Sequence, residues 1–87
     1  MRVCVTDKNG NLTILEASSI SKHNELGKII IMLDNSPLAI SSTDKELFSL
    51  YDDIILRTKS YDCIDFGKYK FIPEKLDASS LFNAWCN

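Results

Sequence analysis

Residues 28–57 read KIIIMLDNSPLAISSTDKELFSLYDDIILR, and this stretch decides the fold. An apolar run at 29–33, the turn-forming residues 34–37 and a second apolar run at 38–40 have the pattern of a β-hairpin. Thr43 and Glu46 then have the spacing of a capping box. The apolar residues that follow recur at helical spacing, namely Leu47, Leu50, Tyr51, Ile54 and Ile55. The stretch therefore predicts a hairpin that leads directly into an amphipathic helix from about residue 44 to residue 57.

The residues before this stretch predict a further hairpin. Two β-prone runs, 2–6 and 12–16, flank the segment DKNGN, and Asn9-Gly10 at its centre is typical of a two-residue type I′ turn. Residues 18–22 are expected to form a third short strand. The run at 29–33 shows no alternation of apolar and polar residues, so we expect a central strand covered on both faces.

After the helix, residues 61–72 read as extended, with Gly67 as a bulge or turn and Pro73 as a break. Asp77 then begins a short C-terminal helix, and we expect that helix or a second copy of the chain to cover the second face of the sheet. Residues 1–87 are thus predicted to be a single α+β domain. Its parts are a mainly antiparallel sheet of four to six strands built from two hairpins, one principal amphipathic helix and a short C-terminal helix.

The composition excludes several classes of protein. Hydrophobic residues make up 45% and charged residues 25% of the chain, and the net charge is −2 with both signs interspersed, so there is no basic field for nucleic acid. The longest apolar run, at 29–33, is far too short to cross a membrane. The N-terminal residues become polar too early for a signal peptide. We therefore expect a cytoplasmic protein without a membrane partner.

The three cysteines, Cys4, Cys63 and Cys86, are widely spaced and odd in number. Their number does not suggest a set of disulfides, and their spacing is not that of metal ligands. We therefore expect them to be reduced and functionally silent. The segment DKNGN resembles the start of an EF-hand loop, but Leu12 and Ser18 stand where that loop needs glycine and glutamate. We expect no metal and no cofactor.

Two three-residue segments match metal-binding motifs of enzymes, but the sequence lacks the other motifs that those enzymes need. Residues 65–67 copy the magnesium-binding triplet of protein kinases, and residues 51–53 copy a polymerase metal motif placed here on a helix. A thiol-dependent enzyme with Cys63 as nucleophile and His23 as base is the least favoured hypothesis. We therefore expect no catalytic residue.

The segment Lys68-Tyr69-Lys70-Phe71 interleaves lysines with aromatic residues. Such a strand can hold phosphates and stack bases. Strand alternation gives a second explanation, in which Tyr69 and Phe71 face the core while Lys68 and Lys70 face water. Both interpretations remain open at this point.

Large apolar residues also end the chain, at Leu81, Phe82 and Trp85. They either close the core or anchor a partner, since aromatic residues are frequent binding hot spots. The candidate partner-binding residues are Lys68, Tyr69, Lys70, Phe71, Phe82 and Trp85.

The leading hypothesis is a non-catalytic intracellular interaction protein that binds a larger macromolecule and modulates or inhibits it. A protein is the expected partner, and a homodimer stays open. The alternative is a small single-stranded nucleic-acid-binding protein that uses the strand at residues 68–71. Short α+β chains of this composition are common on bacterial mobile elements, so such an element is one source that the sequence fits.

Overall fold

A computed structural model describes residues 1–34, 36–58 and 63–75, with the backbone alone for Lys75. It contains β1 (Arg2–Thr6), β2 (Leu12–His23), β3 (Lys28–Leu33), β4 (Leu38–Ser42), α1 (Lys45–Thr58), β5 (Cys63–Lys70) and β6 (Ile72–Lys75). The predicted α+β class, with a mainly antiparallel six-stranded sheet and one principal helix, is confirmed. The predicted C-terminal helix and the candidates Phe82 and Trp85 lie outside the described residues.

The sheet has the strand order β5-β1-β2-β3-β4-β6. Strands β1 to β4 form a continuous antiparallel meander, because each pairs with the next along the chain. Strand β5 joins β1 in parallel, and β6 joins β4 in antiparallel orientation. The two predicted hairpins are therefore present, and the turn between β2 and β3 adds a third.

The order of the strands shows that the sheet curls until its two edges meet. Strands β5 and β6 lie at opposite edges, yet Phe71 alone separates them in sequence. A flat six-stranded sheet would place its edges about 24 Å apart, whereas two Cα steps span only about 7 Å. The Phe71 backbone N–H also donates to the Thr6 carbonyl of β1 over 3.1 Å. Residues 63–75 thus act as one bent strand that closes a partial barrel.

The curled sheet has an interior face, which holds the core, and an exterior face. Ten buried residues form the core cluster: Val3, Val5, Ala17, Ile29, Ile31, Ile40, Leu47, Phe66, Tyr69 and Phe71. Ile30 points to the exterior face and is nevertheless only 7% exposed. The prediction that both faces of this run are covered therefore agrees with the burial of Ile29, Ile30 and Ile31.

Helix α1 starts where a carboxylate caps it. Asp44 Oδ1 accepts hydrogen bonds from the backbone N–H groups of Glu46 and Leu47, at 2.9 and 3.1 Å, so Asp44 and not Thr43 is the N-cap. Leu47 enters the core with no exposed surface, whereas Leu50, predicted to share the buried stripe, is 37% exposed. That prediction was wrong for Leu50, because the side of the helix that packs on the core does not include it: Leu47, Phe48, Tyr51, Ile54 and Ile55 make those contacts.

The first hairpin turn differs from the two-residue type I′ turn that was predicted. Gly10 N–H donates to the Asp7 carbonyl, which makes Lys8 and Asn9 the central residues. The Asp7 side chain accepts from the N–H groups of Asn9 and Asn11, and Gly10 has a φ of +87°. This is a turn followed by a left-handed glycine, a three-residue connection. The Asp7 carboxylate stabilises it over the shorter alternative.

Two strand boundaries also differ from the sequence prediction. The separate strand expected at 18–22 is the second half of β2, which pairs with β1 through residues 12–16 and with β3 through residues 17–23. A register shift between Ala17 and Ser19 marks a β-bulge in the pairing with β3. Pro73 does not break the chain but lies within β6, opposite Ile40. An edge strand tolerates proline because one side of it needs no N–H donor. Within the described ranges, no helix combines the length and apolarity needed to cross a membrane.

Candidate interaction surface

The strand that carries four of the candidate residues divides its side chains between core and water. Tyr69 and Phe71 are each 3% exposed and belong to the core, while Lys68 and Lys70 are exposed. The alternation explanation is therefore the one that the structure matches. The rings of Tyr69 and Phe71 face the interior and offer no surface on which bases can stack.

An irregularity at Gly67 makes this arrangement possible. Val5 pairs with Phe66, but the next residue, Thr6, pairs with Lys70. Residues 67–69 of β5 therefore have no pairing partner in β1 and form a bulge. Asp65 Oδ1 accepts the Gly67 N–H over 2.7 Å. A Cβ at Gly67 would lie 2.9 Å from both Asp65 Oδ1 and Leu12 Cδ1. The bulge predicted for Gly67 is present, and the kinase-like triplet forms a local turn.

A groove of about 340 Å³ lies between α1 and β5. Its charged lining consists of Asp53, Arg57, Asp65 and Lys68. Arg57 and Asp53 form an exposed pair at 3.7 Å, and Lys68 Nζ lies 3.3 Å from a Glu46 carboxylate oxygen. Because exposed pairs of this kind stabilise a protein by about 1 kcal/mol or less, the groove is a solvated surface. The Tyr69 hydroxyl beside it is buried without a hydrogen-bond partner among the described residues.

A second cavity, of about 260 Å³, opens on the interior face at the β1–β2 turn. Its apolar lining includes Val5, Leu15, Ile40 and Phe71. These four residues belong to the core cluster or pack against it. The cavity is thus a continuation of the core toward one end of the barrel.

The two most exposed aliphatic side chains of the described strands lie on the exterior face of β1 and β2. Leu12 is 64% and Ile14 62% exposed, and both point away from the core. Ile14 lies directly opposite Cys4 in the register. Cys63 of β5 lies on the other side of Cys4, with 3.5 Å between the two sulfur atoms. We call Cys4, Leu12, Ile14 and Cys63 the exterior patch.

Charged residues of both signs surround the exterior patch. Arg2 pairs with Glu16 across β1 and β2 and with Cys63 across β1 and β5, while Asp65 lies opposite Cys4. A small apolar centre with a polar rim is the usual composition of a protein-binding surface. The sequence prediction missed this patch, because Leu12 and Ile14 were assigned only to a hairpin strand. The sequence offered no local signal for it, because apolar residues occur on both faces of this segment: Leu12 and Ile14 are exposed, while Leu15 packs against the core.

The catalytic pair weighed from the sequence does not come together. Cys63 lies beside Cys4, whereas the His23 ring nitrogen Nε2 is 2.9 Å from the Ser21 hydroxyl at the far end of β2. In the described part of the chain, no three histidine, cysteine, aspartate or glutamate side chains gather into a possible metal site. Comparison with known protein families, curated sequences and solved structures gave no match.

Proposed function

We propose that this chain is a non-catalytic protein that binds another protein through the exterior patch and thereby modulates or inhibits it. The observation that supports this is the pair Leu12 and Ile14, which are more than three-fifths exposed on one face of one strand. Adjacent exposed aliphatic side chains are unfavourable in water unless a partner covers them.

The charge around the patch favours a protein over a nucleic acid. Arg2, Glu16 and Asp65 at the rim carry one positive and two negative charges, and the whole chain has a net charge of −2. Binding to nucleic acid depends on phosphate contacts from clustered lysine and arginine side chains. The partner expected here is therefore a protein with an apolar contact area and polar groups of both signs at its margin.

The experiment compares capture by wild type with capture by a variant that lacks the two aliphatic side chains. In Leu12→Thr/Ile14→Thr both new residues are β-branched and favour a strand, so the fold should be retained. The matched control is Leu56→Gln, which removes an aliphatic side chain that is 66% exposed on α1. Each tagged protein is used to capture partners from its native cell, and quantitative mass spectrometry compares the captured proteins.

We expect one protein to be captured by wild type and by Leu56→Gln but lost with the double variant. With that partner purified, the Kd of the double variant should rise at least about tenfold, because losing a hot spot weakens binding by about 2 kcal/mol. An unchanged Kd would contradict the proposal. Self-association abolished by the double variant would assign the patch to a homodimer, and salt-dependent binding of a single-stranded oligonucleotide would favour the alternative hypothesis.

A further inference from the structure

Two of the three cysteines form a pair that their spacing in sequence conceals. Cys4 and Cys63 are 59 positions apart in the chain, yet their sulfur atoms lie 3.5 Å from each other. The parallel pairing of β1 with β5 brings them together, since Arg2 lies opposite Cys63 and Cys4 opposite Asp65. Both thiols are partly accessible to solvent.

The surroundings of Cys4 favour its protonated thiol when the chain is reduced. The hydrogen-bonded Cys63 thiol raises the pKa of Cys4 above its ordinary value, and partial burial and the charge of Asp65 act in the same direction. Since the thiolate is the nucleophile in disulfide exchange, Cys4 attacks a disulfide slowly at neutral pH and faster as the pH rises.

We propose that Cys4 and Cys63 are a redox-sensitive pair that closes into a disulfide when the chain meets a small-molecule disulfide such as oxidised glutathione. The two sulfur atoms lie about 1.5 Å beyond the bonding distance near 2.05 Å, on residues that are diagonal neighbours in the pairing of β1 with β5. Both strands already hold the two side chains on the same exterior face.

The reaction balances as two exchange steps. One cysteine thiolate attacks a sulfur of oxidised glutathione, which forms a mixed disulfide and releases one glutathione thiolate. The other cysteine thiolate then attacks the protein sulfur of that mixed disulfide and releases the second glutathione. The protein loses two protons and two electrons in total, and one oxidised glutathione becomes two reduced molecules.

The disulfide would link β5, the strand that closes the barrel, to β1. The cross-link encloses β2, β3, β4 and α1 within one loop, and a long enclosed loop reduces the conformational freedom of the unfolded chain. For a chain of this size we expect the Tm to rise by about 10 °C or more on oxidation. Reduction should reverse the change.

The test is peptide mapping of the folded protein after incubation with oxidised glutathione. Trypsin separates the three cysteines into the peptides 3–8, 60–68 and 76–87. We expect a cross-link between the first two peptides, in wild type and in Cys86→Ser, which removes the remaining thiol as a competitor. The accompanying rise in Tm should be present in Cys86→Ser and absent in Cys4→Ser and Cys63→Ser.

Other outcomes would overturn the inference. Glutathione adducts that persist on Cys4 or Cys63 without a cross-link would show that the two sulfur atoms do not reach each other. A cross-link only to the peptide 76–87 would assign the reactivity to Cys86. The peptide map of wild type decides between these results even if a serine variant does not fold.

Discussion

At the scale of single residues, one partly buried ion pair links stability to pH. Lys28 Nζ lies 2.9 Å from a Glu74 carboxylate oxygen, and the two side chains are 22% and 26% exposed. The hydrogen bond from Lys28 lowers the pKa of Glu74 below its ordinary value of 4.5, although partial burial acts in the opposite direction. Stabilisation from this carboxylate is therefore complete above the unfolded-chain pKa and lost as the pH falls through the lower, folded-state pKa.

We expect Glu74→Gln to unfold more easily than wild type at pH 7, by about 1 kcal/mol or less. The difference should shrink as the pH falls from about 5 to about 3, since wild type loses the same interaction there. Urea denaturation across this range measures it. The control is Glu25→Gln, which removes an exposed carboxylate for which the described residues show no ion pair. If Glu25→Gln lost as much stability as Glu74→Gln, the role assigned to the Lys28–Glu74 pair would be wrong.

Gly10 is the residue on which the first turn depends. Its φ of +87° suits glycine, and open space surrounds the position where a Cβ would lie. Gly10→Val should therefore lower the free energy of unfolding by about 1–3 kcal/mol through backbone strain alone. Gly10→Asn should cost less, because asparagine tolerates this conformation. Equal denaturation midpoints for wild type and Gly10→Val would show that the turn has another geometry.

At the scale of elements, the N-cap of α1 gives a direct test of how the helix begins. Asp44→Ala removes the acceptor of two backbone N–H groups, and we expect a loss of about 0.5–2 kcal/mol. Asp44→Asn keeps a capping side chain and should remain close to wild type. Thermal unfolding followed by circular dichroism measures both variants, and equal losses would mean that charge and not capping stabilises the helix.

Most elements were predictable because their signals are local. The turn residues around Gly10, the apolar run at 29–33 and the periodicity of α1 each depend on residues near in sequence, and each element is present. The single long β2 was not predictable, since its two halves pair with different neighbours that only the sheet topology identifies. Pro73 was misread because its tolerance depends on β6 being an edge strand.

The surface features were the hardest to predict from the sequence. Strand β5 pairs with β1 in parallel, and no local pattern encodes which distant strand lies beside which. The proximity of Cys4 and Cys63 follows only from that pairing, as does the continuous patch that they form with Ile14. The alternation in 68–71, by contrast, was sufficient to separate core from solvent, although it left two functions open.

At the scale of the whole molecule, substitution of Phe71 tests whether residues 63–75 close the barrel. It joins β5 to β6, is 3% exposed, and its ring centroid lies 5.8 Å from that of Phe66. Phe71→Ala should destabilise the protein by about 3–5 kcal/mol, out of about 4–13 kcal/mol expected for a domain of this length. Ile72→Ala, at a neighbouring residue that is 56% exposed, should change stability by about 0.5 kcal/mol or less.

We propose that the exterior patch, and not α1 or the lysine-bearing segment 68–71, binds the partner. Amide chemical-shift mapping of the isotope-labelled chain, titrated with the captured and purified partner, tests it most directly. We expect the largest perturbations at residues 2–6, 12–16 and 63–67, with little change along 45–58. Perturbations concentrated on α1, or on Lys68 and Lys70 alone, would contradict it.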